Sequence, residues 1–471
     1  MPTPSFYWFD YETFGLDPAW DRPAQFAGLR TDLDLKVVGE PRVLYNRLTD
    51  DYLPDPGAAA ITGITPSTVN QEGLREVEFI RQVRAELGAP GTCSLGYNTI
   101  GFDDHFTRYT LYRNFFDPYE HEWANGNSRW DLLDIVRLTR ALRPEGIAWP
   151  TRDDGSPNNK LEHLSAANGI LHAQAHDALS DVHATIGMAR LIREHQPRLF
   201  DYAFAHRGRQ AVAEKLNVQR REPQILVSSR IPAARSHLAV VLPLMLHPGD
   251  AKKVWLFDLA HDPEALLATP PGEIEKPSQH GLVSVRTNQC PVMVPMSVLR
   301  DADAERLGID RAALERHLAA AGVLDTAGFL PELASHLDTP VVDGPRDADG
   351  SLYGGGFFGD EDRRRIHHVH AVASPEALRE LEGQFLDARL NEMLWRYRAR
   401  NWPESLDHDE QARWQDFCRD RLLDTKAPWR DYASFMASLA TTDFGAREDS
   451  LRPAFEQLAH DAAVRLGLPT D

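Results

Sequence analysis

The short aromatic run Ser5 to Phe9 ends in carboxylates, Asp10-Tyr11-Glu12, and this junction constrains the chain more than any other segment. A run of that kind reads as a buried strand. Alternate side chains of a strand share a face, so Asp10 and Glu12 point one way and Tyr11 the other. Two carboxylates about 7 Å apart on one face can hold one metal ion or bridge a pair. A solvated strand end is the competing reading, and D-x-E is too common to decide between them alone. Two further acidic clusters follow in order: Asp103 in Gly96-Tyr97-Asn98…Phe102-Asp103, and Asp181 in His176-Asp177-Ala178-Leu179-Ser180-Asp181. Asp10, Glu12, Asp103, Asp181 and His176 suit two hard cations plus a base that works near neutral pH. The ordered set narrows the chemistry to metal-assisted attack of water on a phosphodiester.

Each cluster has a structural alternative. Asp103 stands where a strand and loop give way to a helix, so it serves either as a helix cap or as a site carboxylate. Asp104 is available for the cap and would leave Asp103 free. Asp181 lies beside the apolar face of a helix expected from Asp177 to Glu194, where Ala178, Val182, Ile186 and Ala189 share one side. A partly buried acid there needs a partner or a metal. His176 is five residues earlier, off that face, on a loop or first turn from which it reaches over the site. It is otherwise a loop histidine with Asp177 as the N-cap. His163, His172 and His183 lack a matching carboxylate pattern and read as bystanders.

The chain has 471 residues, too many for one typical core, so two or three domains are expected. Strands are expected at Gln25 to Thr31, Arg42 to Leu48 and Thr92 to Tyr97, with helices between Glu72 and Leu87 and after Asp103. With the Asp177 helix, stopped by Pro197, they make an α/β domain over residues 1–195. Short β-like runs then follow at Ile225 to Val227, Leu238 to Leu246, Lys253 to Leu259, Leu282 to Arg286 and Val292 to Val294, so residues 196–345 read as a β-rich domain. Pro345 to Gly350 and Gly354-Gly355-Gly356 read as linker or turn. Residues 350–471 have a helical pattern broken at Pro403 and Pro428. The start, Met1-Pro2-Thr3-Pro4, has no signal-peptide pattern, and no apolar run approaches the roughly 20 residues of a membrane span. Cys93, Cys290 and Cys418 offer neither a disulfide framework nor zinc spacing, so a cytoplasmic protein is expected. The net charge of -19 opposes a polyanionic partner unless cations collect in one groove.

The acidic set resembles the DEDDh exonucleases, with their RNase H-like core. Around it, Phe9 to Gly15, Asp21 to Ala27, Ile61 to Pro66, Asn127 to Asp134, Leu142 to Gly146, Gln196 to Tyr202 and Tyr397-Arg398-Ala399-Arg400-Asn401 resemble the bacterial exodeoxyribonuclease I family. The resemblance is dense up to Tyr202 and thin beyond. It implies an exonuclease domain, an SH3-like domain and a helical domain closing over single-stranded DNA. It implies a monomer that acts in DNA repair and recombination, removing 5′-mononucleotides processively from the 3′ end. Two Mg²⁺ ions, or Mn²⁺ in their place, would be held by Asp10, Glu12, Asp103 and Asp181. One would acidify the attacking water and the other stabilise the leaving 3′ oxygen, with His176 taking the water's proton. Close relatives carry a substrate-contacting arginine where this chain has Lys160; lysine keeps the charge and loses the bidentate fork.

Arg108, Tyr119, Trp123, Arg137 and Arg143 are candidates for phosphate and base contacts, along with Glu12 and Lys160, and Lys252 and Lys253 for closing the groove. Trp130 reads as core. Arg143 and Tyr202 match residues with which relatives hold the acidic tail of single-stranded DNA-binding protein. A different DEDDh nuclease, RNA-trimming or proofreading, is one alternative, and a non-catalytic DNA-binding scaffold on the same fold is another.

Overall fold

The side chains of β1 (Ser5–Thr13) alternate between two cores. Phe6 and Trp8 pack with Leu29, Leu95 and Trp130 and with Val182, Ile186 and Ala189 of the helix Ala178–His195. Tyr7, Phe9 and Tyr11 pack on the other face with Phe26 and with Phe79, Ile80 and Val83 of the helix Glu76–Leu87. Each such side chain, fully buried, contributes about 1.5–3 kcal/mol. Clamped on both faces, the strand carries Asp10 and Glu12 on the Phe6–Trp8 side, towards Ala178–His195.

The computed structural model describes residues 3–172, 177–325, 328–337 and 347–468. In its first sheet β1 is central. β2 (Pro23–Thr31) pairs antiparallel with it, and β3 (Arg42–Tyr45) extends that edge. On the other side β4 (Thr92–Leu95) pairs parallel with β1, and β5 (Ser128–Arg129) with β4, giving the order β3-β2-β1-β4-β5. The sequence reading places these strands within a few residues of their ends but omits the short β5. It also omits four helices, Pro56–Thr62, Pro66–Glu72, Leu132–Leu142 and Leu161–Ala167. Pro197 ends one helix as expected, and it opens the next, Pro197–Ala205, at the position where proline is tolerated.

β6 (Gln224–Val227), β7 (Leu238–His247), β8 (Asp250–Asp258), β9 (Leu282–Arg286) and β10 (Val292–Pro295) form a separate antiparallel sheet ordered β10-β6-β7-β8-β9. All five coincide with the expected runs. Beyond β10 the region turns helical, with Asp301–Arg306, Arg311–Ala320 and Phe329–Leu337 packed beneath the sheet.

The last part is helical, with Asp360–Val369, Ala388–Asn401, His408–Leu423, Tyr432–Thr441 and Glu448–Leu466. The expected breaks fall before Pro403 and Pro428. Of the segment read as linker or turn, the described end is a turn. Ala348–Gly350 is a buried turn, and Asp349 there is wholly inaccessible and paired with Arg396 and Arg400. Arg400 also binds Asp51 of the first domain at 2.7 Å, and Asn401 accepts the Val77 N–H that opens the helix Glu76–Leu87. No helix among the described residues is long and apolar enough to cross a membrane.

Candidate active site

Asp10 and Glu12 sit near the end of β1, beyond the point where β4 stops at Leu95. The chain leaves β4 through Gly96, which lies so close to β1 that a Cβ there would stand 2.4 Å from the Phe9 carbonyl oxygen. The loop that follows is anchored by Asp131, whose carboxylate accepts N–H bonds from Asn98 (2.9 Å), Ile100 (3.1 Å) and Leu133 (3.0 Å). It delivers Asp103 to the first turn of the helix Asp103–Arg113, where its carboxylate accepts the Tyr11 N–H at 3.0 Å. Neither acid caps this helix: Phe102 holds the cap position, and Asp104 is buried against Arg129. Asp103 is therefore tied to the D-Y-E strand itself.

Asp177 caps the helix Ala178–His195, the cap that the alternative reading of His176 named, accepting N–H bonds from Leu179 and Ser180. Asp181, one turn in, faces β1. Carboxylate oxygens of Asp10, Glu12 and Asp181 lie within 4.8 Å of one another. Desolvation, then Asp103, Glu12, Asp181 and Asp177, raise the Asp10 carboxyl well above its usual range. Burial, then Asp181 and Asp177, push Glu12 to about 8. The described charges that raise Asp10 and Glu12 are carboxylates. Hard oxygen donors in mutual repulsion fit a divalent cation, which would restore their charged forms.

His176 lies outside the described residues. His172, read as a bystander, is bonded through Nε2 to Asp181. His163 bonds Asn158, and His183 is exposed, so these two fit the bystander reading. Asp181 and His172 line a cleft of about 390 Å³ with Arg137, Arg152, Lys160, Glu162 and, from the second domain, His237. Burial and nearby Arg137 keep His237 below the ordinary histidine pKa. Arg137 is paired with Asp134 at 2.6 Å, and Lys160 with Glu162 at 3.4 Å. Arg152 and His237 went unremarked in the sequence because they come from a hairpin and another domain, with no shared spacing.

The other candidates lie elsewhere. Tyr119 and the exposed Trp123 line an aromatic groove of about 640 Å³ with Phe116, Tyr353 and Phe357, between the first and last domains. Arg108 is not a free groove cation: it is buried, bonded to Glu122 at 2.7 Å and set over the Tyr119 ring. Arg143 is paired with Asp303 and donates to the Val298 carbonyl, both in the second region. Tyr202 stacks on His206 and bonds Lys215. Trp130 is core, as expected. Lys252 is exposed on β8, and Lys253 lies over Trp255.

Three family models match in succession: exonuclease over residues 7–189, the exonuclease I SH3-like domain over 207–323 and the exonuclease I C-terminal domain over 346–455. Exodeoxyribonuclease I of Escherichia coli K12 is 42% identical over 434 residues, covering 88% of this chain and 89% of that one. The chain belongs to the exodeoxyribonuclease I family. An exonuclease I from Methylocaldum szegediense superposes with a TM-score of 0.90 at 42% identity, covering 98% of this chain and 99% of that one. The zinc-bound Escherichia coli ExoI–ssDNA complex also superposes at 0.90, with 38% identity and coverage of 98% and 100%. The fold is accordingly an RNase H-like exonuclease domain, an SH3-like domain and a helical C-terminal domain. Membership makes the chain a hydrolase that depends on a divalent metal.

Proposed function

We propose that this 3′→5′ exodeoxyribonuclease degrades single-stranded DNA to 5′-mononucleotides at the Asp10–Glu12–Asp181 cluster, with Mg²⁺ as its metal. The observation that carries the reading is the convergence of those three carboxylates, with Asp103 held beside them, where a cation-lined cleft opens. Asp10, Glu12, Asp103 and Asp181 would hold two ions, which supply an acidified water and charge compensation at the departing oxygen. The protein's own groups do the rest. His176, two residues before the Asp181 helix in the sequence, takes the water's proton as oxygen attacks phosphorus. The bond to the 3′ oxygen of the next nucleotide breaks, and the severed nucleotide keeps its 5′-phosphate. Arg137 and Lys160 orient the backbone phosphates. Tyr119 and Trp123, in a groove also lined by Phe116, Tyr353 and Phe357, stack bases of the incoming strand.

The domain boundaries are placed near residues 195 and 345, in line with the gaps between the matched segments. The protein is assigned to the cytoplasm as a monomer serving repair and recombination. Arg143 and Tyr202 are assigned to the acidic tail of single-stranded DNA-binding protein. Its terminal carboxylate must displace Asp303 from Arg143, so binding of a labelled tail peptide should weaken in Arg143→Ala and Tyr202→Ala.

The test of the main reading is digestion of end-labelled single-stranded DNA and RNA of equal sequence. A 5′ label should stay on shrinking DNA oligomers until late and require Mg²⁺. Immediate release of the 5′ label, or full activity in EDTA, refutes it.

A further inference from the structure

Three cations line the cleft beside Asp181, and two are already engaged, Arg137 with Asp134 and Lys160 with Glu162. The third, Arg152, is exposed and makes no side-chain hydrogen bond or ion pair with any described residue. Its backbone is nevertheless well held. Arg152 opens a tight hairpin in which its N–H donates to the Ser156 carbonyl at 2.9 Å and its own carbonyl accepts the Gly155 N–H at 2.9 Å. Gly155 has φ +77°, and the Asp154 carboxylate is bonded to the Ser156 N–H at 2.9 Å. Thr151 and Pro157 close the hairpin with a β-bridge. A rigid loop that presents a free guanidinium to a phosphate-handling cleft is a prepared contact: five donors in a planar fork can take two phosphate oxygens at once.

We propose that Arg152 grips a backbone phosphate of the bound strand with two hydrogen bonds, supplying from the hairpin the bidentate contact that Lys160 cannot make. This rests on the cleft as the seat of the strand's 3′ end. Lys160 then acts as a point charge at the same place, and the two residues share one load.

The experiment compares wild type, Arg152→Ala, Arg152→Lys, Lys160→Arg and Arg152→Ala/Lys160→Arg on a labelled single-stranded oligonucleotide. A second series carries one uncharged methylphosphonate linkage, moved stepwise from the 3′ end. Arg152→Ala should raise KM about tenfold, the scale of a lost charged hydrogen-bond pair, with kcat changed less than twofold. Its log K against log salt should be shallower by about 0.7. Arg152→Lys should fall between, and Lys160→Arg should recover most of the loss in the Ala background. One methylphosphonate position that weakens wild type should cease to matter in Arg152→Ala. If wild type releases nucleotides and Arg152→Ala matches it in KM, salt slope and linkage sensitivity, the grip is wrong and the cleft reading stands. A fall in kcat at unchanged KM also overturns it. A wild type that releases no nucleotide overturns both.

Discussion

Asp181 reaches the site from a capped helix start, takes a bond from His172 and faces Glu12 and Asp10 across less than 4.8 Å. Under the proposed mechanism, removing its charge takes a ligand from the metal and leaves the groove cations in place. Asp181→Ala is therefore expected to abolish turnover while single-stranded DNA still binds in a gel-shift or anisotropy assay; retained turnover would contradict the ligand assignment. His176→Ala should slow the reaction by about 10²–10⁴, the range for a lost general base, and a near-normal rate from pH 6 to 9 would remove it from the mechanism. His172 is bonded to Asp181, a proposed metal ligand, without being one of the four carboxylates. Partners of that kind typically change metal affinity by about 10–100-fold. His172→Ala should raise the Mg²⁺ needed for half-maximal rate on that scale, with the rate recovered at saturating Mg²⁺. An unchanged metal titration would return His172 to the role of bystander.

The loop between β4 and the helix Asp103–Arg113 is the element that sets Asp103 against β1. It depends on the absence of a side chain at Gly96, where a Cβ would meet Phe9 O and Thr99 Cγ2 at 2.4 Å each. Backbone cannot yield cheaply there, so Gly96→Ala is expected to cost about 1–3 kcal/mol in urea unfolding and to lower kcat. A variant as stable and as fast as wild type would show that the loop can move without moving Asp103. Asp131 repeats the lesson: its three N–H bonds hold the same loop, and burial together with Asp134 pushes its carboxyl up to about 7.

Between the first and last domains, the Arg400 side chain is buried between Asp51 and Asp349, with Arg421 and Arg396 beside them. Arg400 and its neighbours hold Asp51 and Asp349 well below the usual carboxylate range, against burial, which acts the other way. Both groups ionise at lower pH folded than unfolded. Their stabilisation is whole above the unfolded value of about 3.9 and is lost as pH falls through the folded values. Unfolding free energy should therefore decline below about pH 4. Arg400→Met strands two buried carboxylates and should cost about 3–5 kcal/mol near neutral pH, with the decline below about pH 4 made shallower because both carboxyls then titrate closer to their unfolded value. An unchanged acid profile would mean that this network does not join the domains. On the same scale, the net charge of -19 does not describe the cleft, which is lined by Arg137, Arg152 and Lys160 beside Asp181 and Glu162. Binding should weaken with salt, by a slope of about -0.7 per neutralised phosphate on a single strand. Salt-independent affinity would exclude a cationic path. Charge reversal at Arg108 should act mainly through Glu122 and Tyr119, since Arg108 is buried against them.

Local order was legible wherever a short segment carried its own pattern. β1 with its period of two, the five strands of the SH3-like sheet and the Asp177 cap follow from neighbouring residues, so sequence alone determined them. The acidic set was legible too, because each cluster ends an apolar run or starts a helix, and its chemistry needs residue types rather than distances. The helix Leu132–Leu142 was as readable, capped by Asp131 and with one side buried, and was overlooked. What sequence could not determine is which charges are already spent. Arg108 and Arg143 look like any surface arginine until Glu122 and Asp303 arrive from elsewhere in the chain. His172 meets Asp181, Arg152 and His237 meet one cleft, and Asp349 disappears beneath Arg400 through packing of distant segments. A charge is neutralised by whatever lies within a few ångströms of it, and only the tertiary structure decides what that is.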